Sequence, residues 1–139
     1  MNQLQRQLVV HEGLKLTPYQ CTAGKLTIGV GRNIEDLGIT EQEAMMLLDN
    51  DIERVRHELQ SNFSWFSGLT EARKNVLIDM CFNLGISRLK GFKNALAAME
   101  SGLWDVAAKE MLSSRWADQV GQRATRLADA MENDSLVEV

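Results

Sequence analysis

Most apolar residues in this chain recur at every third or fourth position, and one short stretch alternates instead. In residues 2–12, Leu4, Leu8 and His11 share a face, which predicts a helix. Residues 17–34 read as a hairpin. Leu26 and Ile28 alternate with Lys25 and Thr27 as in a strand, Thr22-Ala23-Gly24 supplies the turn before them, and Gly29-Val30-Gly31 ends the strand. Residues 34–39 then read as a loop. Thr40-Glu41-Gln42-Glu43 is a capping box, and Ala44, Leu47, Leu48, Ile52, Val55 and Leu59 continue at helical spacing to about residue 60. A helix of about 20 residues spans roughly 30 Å, enough to join two lobes. An aromatic loop, Phe63, Trp65 and Phe66, leads to Thr70, a helix-capping residue. The helix over 71–84 is the most apolar, with Ala72, Val76, Leu77, Met80, Cys81 and Leu84, and Gly85 ends it. Shorter helices are predicted over 89–100, 103–113 and 121–131, with a frayed tail from Asn133.

The elements sum to an α+β chain that is mainly α. A small hairpin lobe covers about 13–40, a linking helix about 41–60, and a helical lobe about 63–132 together with the first helix. The ligand site is expected between the lobes.

Composition agrees with a folded domain: 139 residues, 45% apolar, with one proline. No apolar run reaches membrane-spanning length, and the apolar part of MNQLQRQLVVHEG is too short for a secretion signal. The expectation is a protein made and folded in the cytoplasm. There Cys21 and Cys81 are free thiols. With His11 and His57 they form no metal-ligand set, so neither metal nor cofactor is expected. Gly29-Val30-Gly31 is not a dinucleotide fingerprint, because Ile34 stands where the third glycine belongs. The isoelectric point is about 5.2 and no basic stripe follows one helix, which argues against nucleic acid. Charge is nonetheless uneven. Residues 35–62 carry a net −6, while residues 1–34 and 86–127 each carry +3, so the regions around the expected site would steer an anionic polymer toward it. The plainer reading of these charges is solvated helix faces.

Glu12 stands out chemically. It ends the first helix, where the backbone's partial negative charge disfavours a carboxylate by roughly 0.3–1 kcal/mol. The plain reading is a solvated glutamate at a fraying end. A residue set against local preference is also a candidate for function.

The stretch His11 to Arg32, HEGLKLTPYQCTAGKLTIGVGR, resembles the T-even phage lysozyme family, the endolysins of glycoside hydrolase family 24. The resemblance continues in order through Phe82-Asn83 and Gly85, Gly91-Phe92, Trp104 to Ala108, Ser114-Arg115-Trp116, and Arg123. It implies a two-lobe lysozyme-like fold and cleavage of the glycan strands of bacterial peptidoglycan, between N-acetylmuramic acid and N-acetylglucosamine. A chain shorter than the best-known member implies a shorter small lobe.

By the same resemblance Glu12 is the general acid and Thr27 holds the attacking water. Cys21 occupies the second catalytic position, where the family usually has aspartate. A thiolate there could be a base, an electrostatic partner or a nucleophile, or the thiol could be an inert small hydrophobe. In the last case Glu12 would act alone and the product could be that of a lytic transglycosylase. Loss of catalysis altogether would leave a cell-wall-binding protein. Arg32 replaces a family histidine. Arg123 matches an arginine that approaches the catalytic glutamate. Asn83, Arg115 and Trp116 match cleft-lining or supporting positions, and Trp116 can equally be a core aromatic. The resemblance further implies a monomer, with no nucleic-acid partner and no stable membrane association. It would wait in the host cytoplasm and reach the cell wall once a separate holin opens the membrane.

Overall fold

The computed structural model describes residues 1–139. The chain divides into two compact units, Met1–Leu47 and Leu48–Val139, so the boundary falls within the longest helix.

The first unit begins with α1 (Gln3–Glu12). Its capping box is reciprocal: the Asn2 side chain accepts from the Gln5 N–H, and the Gln5 side chain accepts from the Asn2 N–H, each at 2.8 Å. The predicted face is present but not covered; Leu4 and Leu8 are exposed and α1 has no buried residue. A sheet follows, in which the expected hairpin, β1 with β2, gains a third strand. Three antiparallel strands, β1 (Lys15–Gln20), β2 (Leu26–Gly29) and β3 (Arg32–Asn33), lie in the order β1-β2-β3. Pro18 sits in edge strand β1, where the register with β2 slips between Lys15 and Tyr19. Proline cannot donate to a ladder, so an irregular edge is where a strand tolerates it. The expected loop over 34–39 instead contains α2 (Ile34–Leu37), one turn capped by the Asn33 side chain, which accepts from the Asp36 N–H at 3.0 Å.

Helix α3 (Glu41–Asn62) starts at the predicted capping box. Thr40 Oγ1 accepts from the Glu43 N–H at 3.1 Å, and Glu43 Oε1 from the Thr40 N–H at 2.8 Å. Only Val55 and Leu59 of its apolar row are fully buried.

The second unit is helical and holds the hydrophobic core. α4 (Glu71–Leu84) buries all six of the apolar residues predicted for it. Around it stand α5 (Ile86–Leu89), α6 (Lys93–Glu100), α7 (Trp104–Leu112), α8 (Arg115–Val120) and α9 (Gln122–Asn133). The inward positions of α6, α7 and α9 are largely alanine and methionine, Ala98, Met99, Ala107, Met111, Ala124 and Met131 among them. Small side chains let helix backbones approach and flexible ones fill the remaining gaps. The helix predicted over 89–100 starts only at Lys93, as α6, and neither α5 nor α8 is predicted by the pattern. Such short pieces span little more than a turn and show no period.

Arg73 is the one buried cation. Its guanidinium lies 3.8 Å from the Trp104 ring centre and donates to the Met131 and Glu132 carbonyls at 2.8 and 3.1 Å. It thereby satisfies the orphan carbonyls at the negative end of α9. No helix is long and apolar enough to cross a membrane.

Candidate active site

Glu12, Cys21, Thr27 and Arg32 belong to the first unit, and Asn83, Arg115, Trp116 and Arg123 to the second. Each set is built separately.

Glu12 is the last residue of α1 and is exposed. Its carboxylate rests on the turn between β2 and β3. A Cβ placed on Gly31 would lie 2.8 Å from Glu12 Oε2 and 3.2 Å from Cδ. Gly31 also has φ +65°, a conformation that side chains disfavour. The turn requires glycine there, and a side chain would also displace the end of the Glu12 carboxylate. In the sequence Gly31 reads only as a strand end. Its signal was the glycine pair flanking Val30, which reads as a tight turn but does not say what approaches it.

Thr27 lies on the central strand β2, opposite Tyr19 of β1 and Asn33 of β3. It is the only fully buried residue of the first unit, 2% exposed. Its hydroxyl donates to the Lys25 carbonyl at 2.8 Å, which leaves its oxygen lone pairs to accept. Cys21 is half-buried at the mouth of the turn between β1 and β2. Its backbone N–H donates to Lys25 O at 3.0 Å and its carbonyl accepts from the Gly24 N–H at 2.8 Å. The thiol lies within reach of the Lys25 and Ala23 amides. The Lys25 amide, then the Ala23 amide, pull its pKa below the ordinary cysteine value, and partial burial opposes them. The turn therefore brings Cys21 and Thr27 together, and favours the thiolate.

Arg32 is a clamp. Nη1 donates to Gly38 O at 3.1 Å and to Glu43 Oε1 at 3.0 Å, while Nη2 donates to Glu43 Oε2 at 2.8 Å. This bidentate pair fastens β3 to the first turn of α3. Arg32 and the Thr40 amide hold the Glu43 carboxyl at a pKa of about 2, far below the usual carboxylate range. The sequence showed Glu43 as half of a capping box and gave no sign of its second partner.

In the second unit, Trp116 is buried, 3% exposed, and Nε1 donates to Asn83 Oδ1 at 2.9 Å. The indole meets Phe92 edge-on, with ring centres 6.0 Å apart. Trp116 and Asn83 thus tie the end of α4 to α8. Arg115, the first residue of α8, is exposed. Arg123 is engaged within its own unit: Nε donates to Asp79 Oδ1 at 2.8 Å, a carboxylate that no motif in the sequence singles out. This pair borders a groove of about 390 Å³ whose apolar wall includes Ile52, Ile78 and the half-exposed Phe82. No three His, Cys, Asp or Glu side chains are arranged to hold a metal ion.

Similarity to known proteins runs along nearly the whole chain. The phage lysozyme family matches residues 9–132. A Dictyostelium discoideum protein named probable T4-type lysozyme 1 is 28% identical, over 98% of this chain and 97% of its own. The pre-baseplate central spike protein Gp5 of Enterobacteria phage T4 is 27% identical over 84% of this chain, a match covering 25% of that larger protein. An endolysin of Acyrthosiphon pisum secondary endosymbiont phage 1 is 35% identical over 55% of this chain and 53% of its own.

Proposed function

The chain belongs to the phage lysozyme family, and from that premise we propose that it hydrolyses the β-1,4 bond between N-acetylmuramic acid and N-acetylglucosamine in bacterial peptidoglycan, as an endolysin. The observation that carries this reading is the first unit's geometry: the Glu12 carboxylate lies against Gly31, in the turn that follows β2, and a thiol and a hydroxyl come together about the turn that precedes β2.

Glu12 is the general acid. It is exposed in the free protein. A glycan lying over it excludes water from the carboxyl. Its proton goes to the leaving glycosidic oxygen as the C1–O bond breaks and positive charge develops on the sugar ring. Cys21 thiolate is the base. It accepts a proton from a water whose oxygen forms the new bond to C1, while that water's other hydrogen is donated to Thr27 Oγ1. Because the Thr27 hydroxyl donates to Lys25 O, it is fixed as the acceptor in that contact. Solvent then returns the proton from Cys21 to Glu12, and one water has been consumed.

Arg32, Asn83 and Trp116 act as supports through the bonds already described. In the proposed setting the enzyme accumulates in the host cytoplasm, and a separate holin admits it to the cell wall. Turbidity of permeabilised Gram-negative cells tests the proposal: wild type should clear the suspension and Glu12→Gln should not. Clearing by both, or by neither, overturns it; the second outcome is that expected of a wall-binding protein without catalysis.

A further inference from the structure

The turn that meets Glu12 has little of its own to keep its shape. Gly29 and Gly31 flank Val30 with φ +72° and +65°, and neither carries a side chain that could pack. One end of the turn is secured by β2, the central strand. The other end runs into β3, which is two residues long and pairs with β2 through Arg32 and Asn33. Burial does not make up the difference, because Thr27 is the only fully buried residue of the first unit. The Asn33 side chain bonds onward to Asp36, in the one-turn helix α2. Arg32, the residue after Gly31, is the tie from β3 to a long helix. Its guanidinium reaches Gly38 O and both oxygens of the Glu43 carboxylate, at 3.1, 3.0 and 2.8 Å. Glu43 is fixed in turn: it lies in the first turn of α3, and its Oε1 also accepts from the Thr40 N–H at 2.8 Å.

A planar fork held by paired N–H donors fixes direction as well as distance. Gly31 and Arg32 are covalent neighbours, so a shift of the Arg32 backbone carries with it the surface against which the Glu12 carboxylate lies. On the reading of Glu12 as the general acid, we propose that Glu43 is a positioning residue for that acid, acting through Arg32 and the Gly31 turn. Glu43 touches neither the glycan nor the reacting atoms. It sets where the proton donor stands, within the fraction of an ångström that transfer to the leaving oxygen requires. The capping box and the fork share one carboxylate, so the start of α3 and the place of Glu12 are set by the same side chain.

Glu43→Gln isolates the fork. Glutamine keeps the oxygen that accepts from the Thr40 N–H and gives up the charge and the second acceptor. The first readout needs no turnover. In the full chain, isotopically labelled at its glutamate carboxyls, the Glu12 carbon resonance is assigned by its absence in Glu12→Gln. It should shift in Glu43→Gln while the α4 amide resonances stay in place. Arg32→Lys, which keeps the cation but cannot fork, should shift it too. On soluble peptidoglycan strands, kcat of Glu43→Gln should fall by about tenfold with KM unchanged. Gly31→Ala combined with Glu43→Gln should be no slower than Gly31→Ala alone, because both misplace one carboxyl, whereas losses at independent sites multiply. A Glu12 resonance that stays put in both variants, a raised KM at unchanged kcat, or multiplied losses overturns the positioning role. A resonance that shifts in a protein that clears no cells removes the proposed hydrolysis and keeps the hold of Glu43 on Glu12.

Discussion

At the residue scale, little holds Glu12 in place. Its carboxylate is positioned by contact with Gly31 backbone, and a methyl at that position would lie 2.8 Å from its oxygen. Gly31→Ala should therefore move the carboxyl by a fraction of an ångström or more. Misplacement on that scale can cost about 100-fold in rate. We expect kcat on purified peptidoglycan to fall by about that factor, with far-ultraviolet circular dichroism unchanged; unaltered kcat would separate Glu12 from the chemistry. Cys21 makes a second prediction. A thiol with a lowered pKa gives an activity limb that rises with pH as the thiolate forms. Cys21→Ser should remove that limb and most of the turnover. Cys21→Asp should restore turnover and carry the limb to lower pH, because carboxylates ionise near pH 4. A serine variant with wild-type turnover would rule out thiolate chemistry. The resemblance singles out Glu12, Cys21 and Thr27 as candidates, but not Gly31's place against Glu12, since glycine carries no side chain to betray what leans on it.

At the scale of elements, Arg32–Glu43 is the joint between the sheet and α3. The Glu43 pKa is lowered in the folded state, to about 2. Its contribution to stability is therefore complete above the carboxyl's unfolded pKa and is lost as pH falls from about 4.5 toward 2. Urea midpoints measured between pH 6 and pH 2 should fall steeply for wild type and less steeply for Glu43→Gln. Parallel curves would mean that the pair adds nothing. Long elements were legible beforehand. α4 announced itself by six apolar positions and a capping threonine, and α3 by its capping box. The short ones were not. β3 has two residues and α2, α5 and α8 have four to six, too few to show a period. They are set by caps and tertiary contacts, such as Asn33 to Asp36 and Ser114 to Ala117, which pattern alone does not rank above a loop.

At the scale of the molecule, stability is unequally distributed. The first unit has Thr27 as its sole fully buried residue, while the second contains the entire buried apolar cluster. Burial is what sets the free energy of local opening. Native-state hydrogen exchange should show β2 amides opening more easily than those of α4, and Leu77→Ala, at a site with no exposure, should destabilise the second unit by about 2–5 kcal/mol. Uniform protection through both units would contradict this. Periodicity foretold that Leu4 and Leu8 share a face, yet not that the face stays uncovered; a pattern states which side is apolar and leaves open what packs on it. The most direct test of the whole account is mass spectrometry of peptidoglycan digested by wild type and by Glu12→Gln. Fragments ending in a reducing sugar, one water heavier than the bond they came from, are expected from wild type and none from the variant. Anhydro-ended fragments, or equal yields from both proteins, would contradict it.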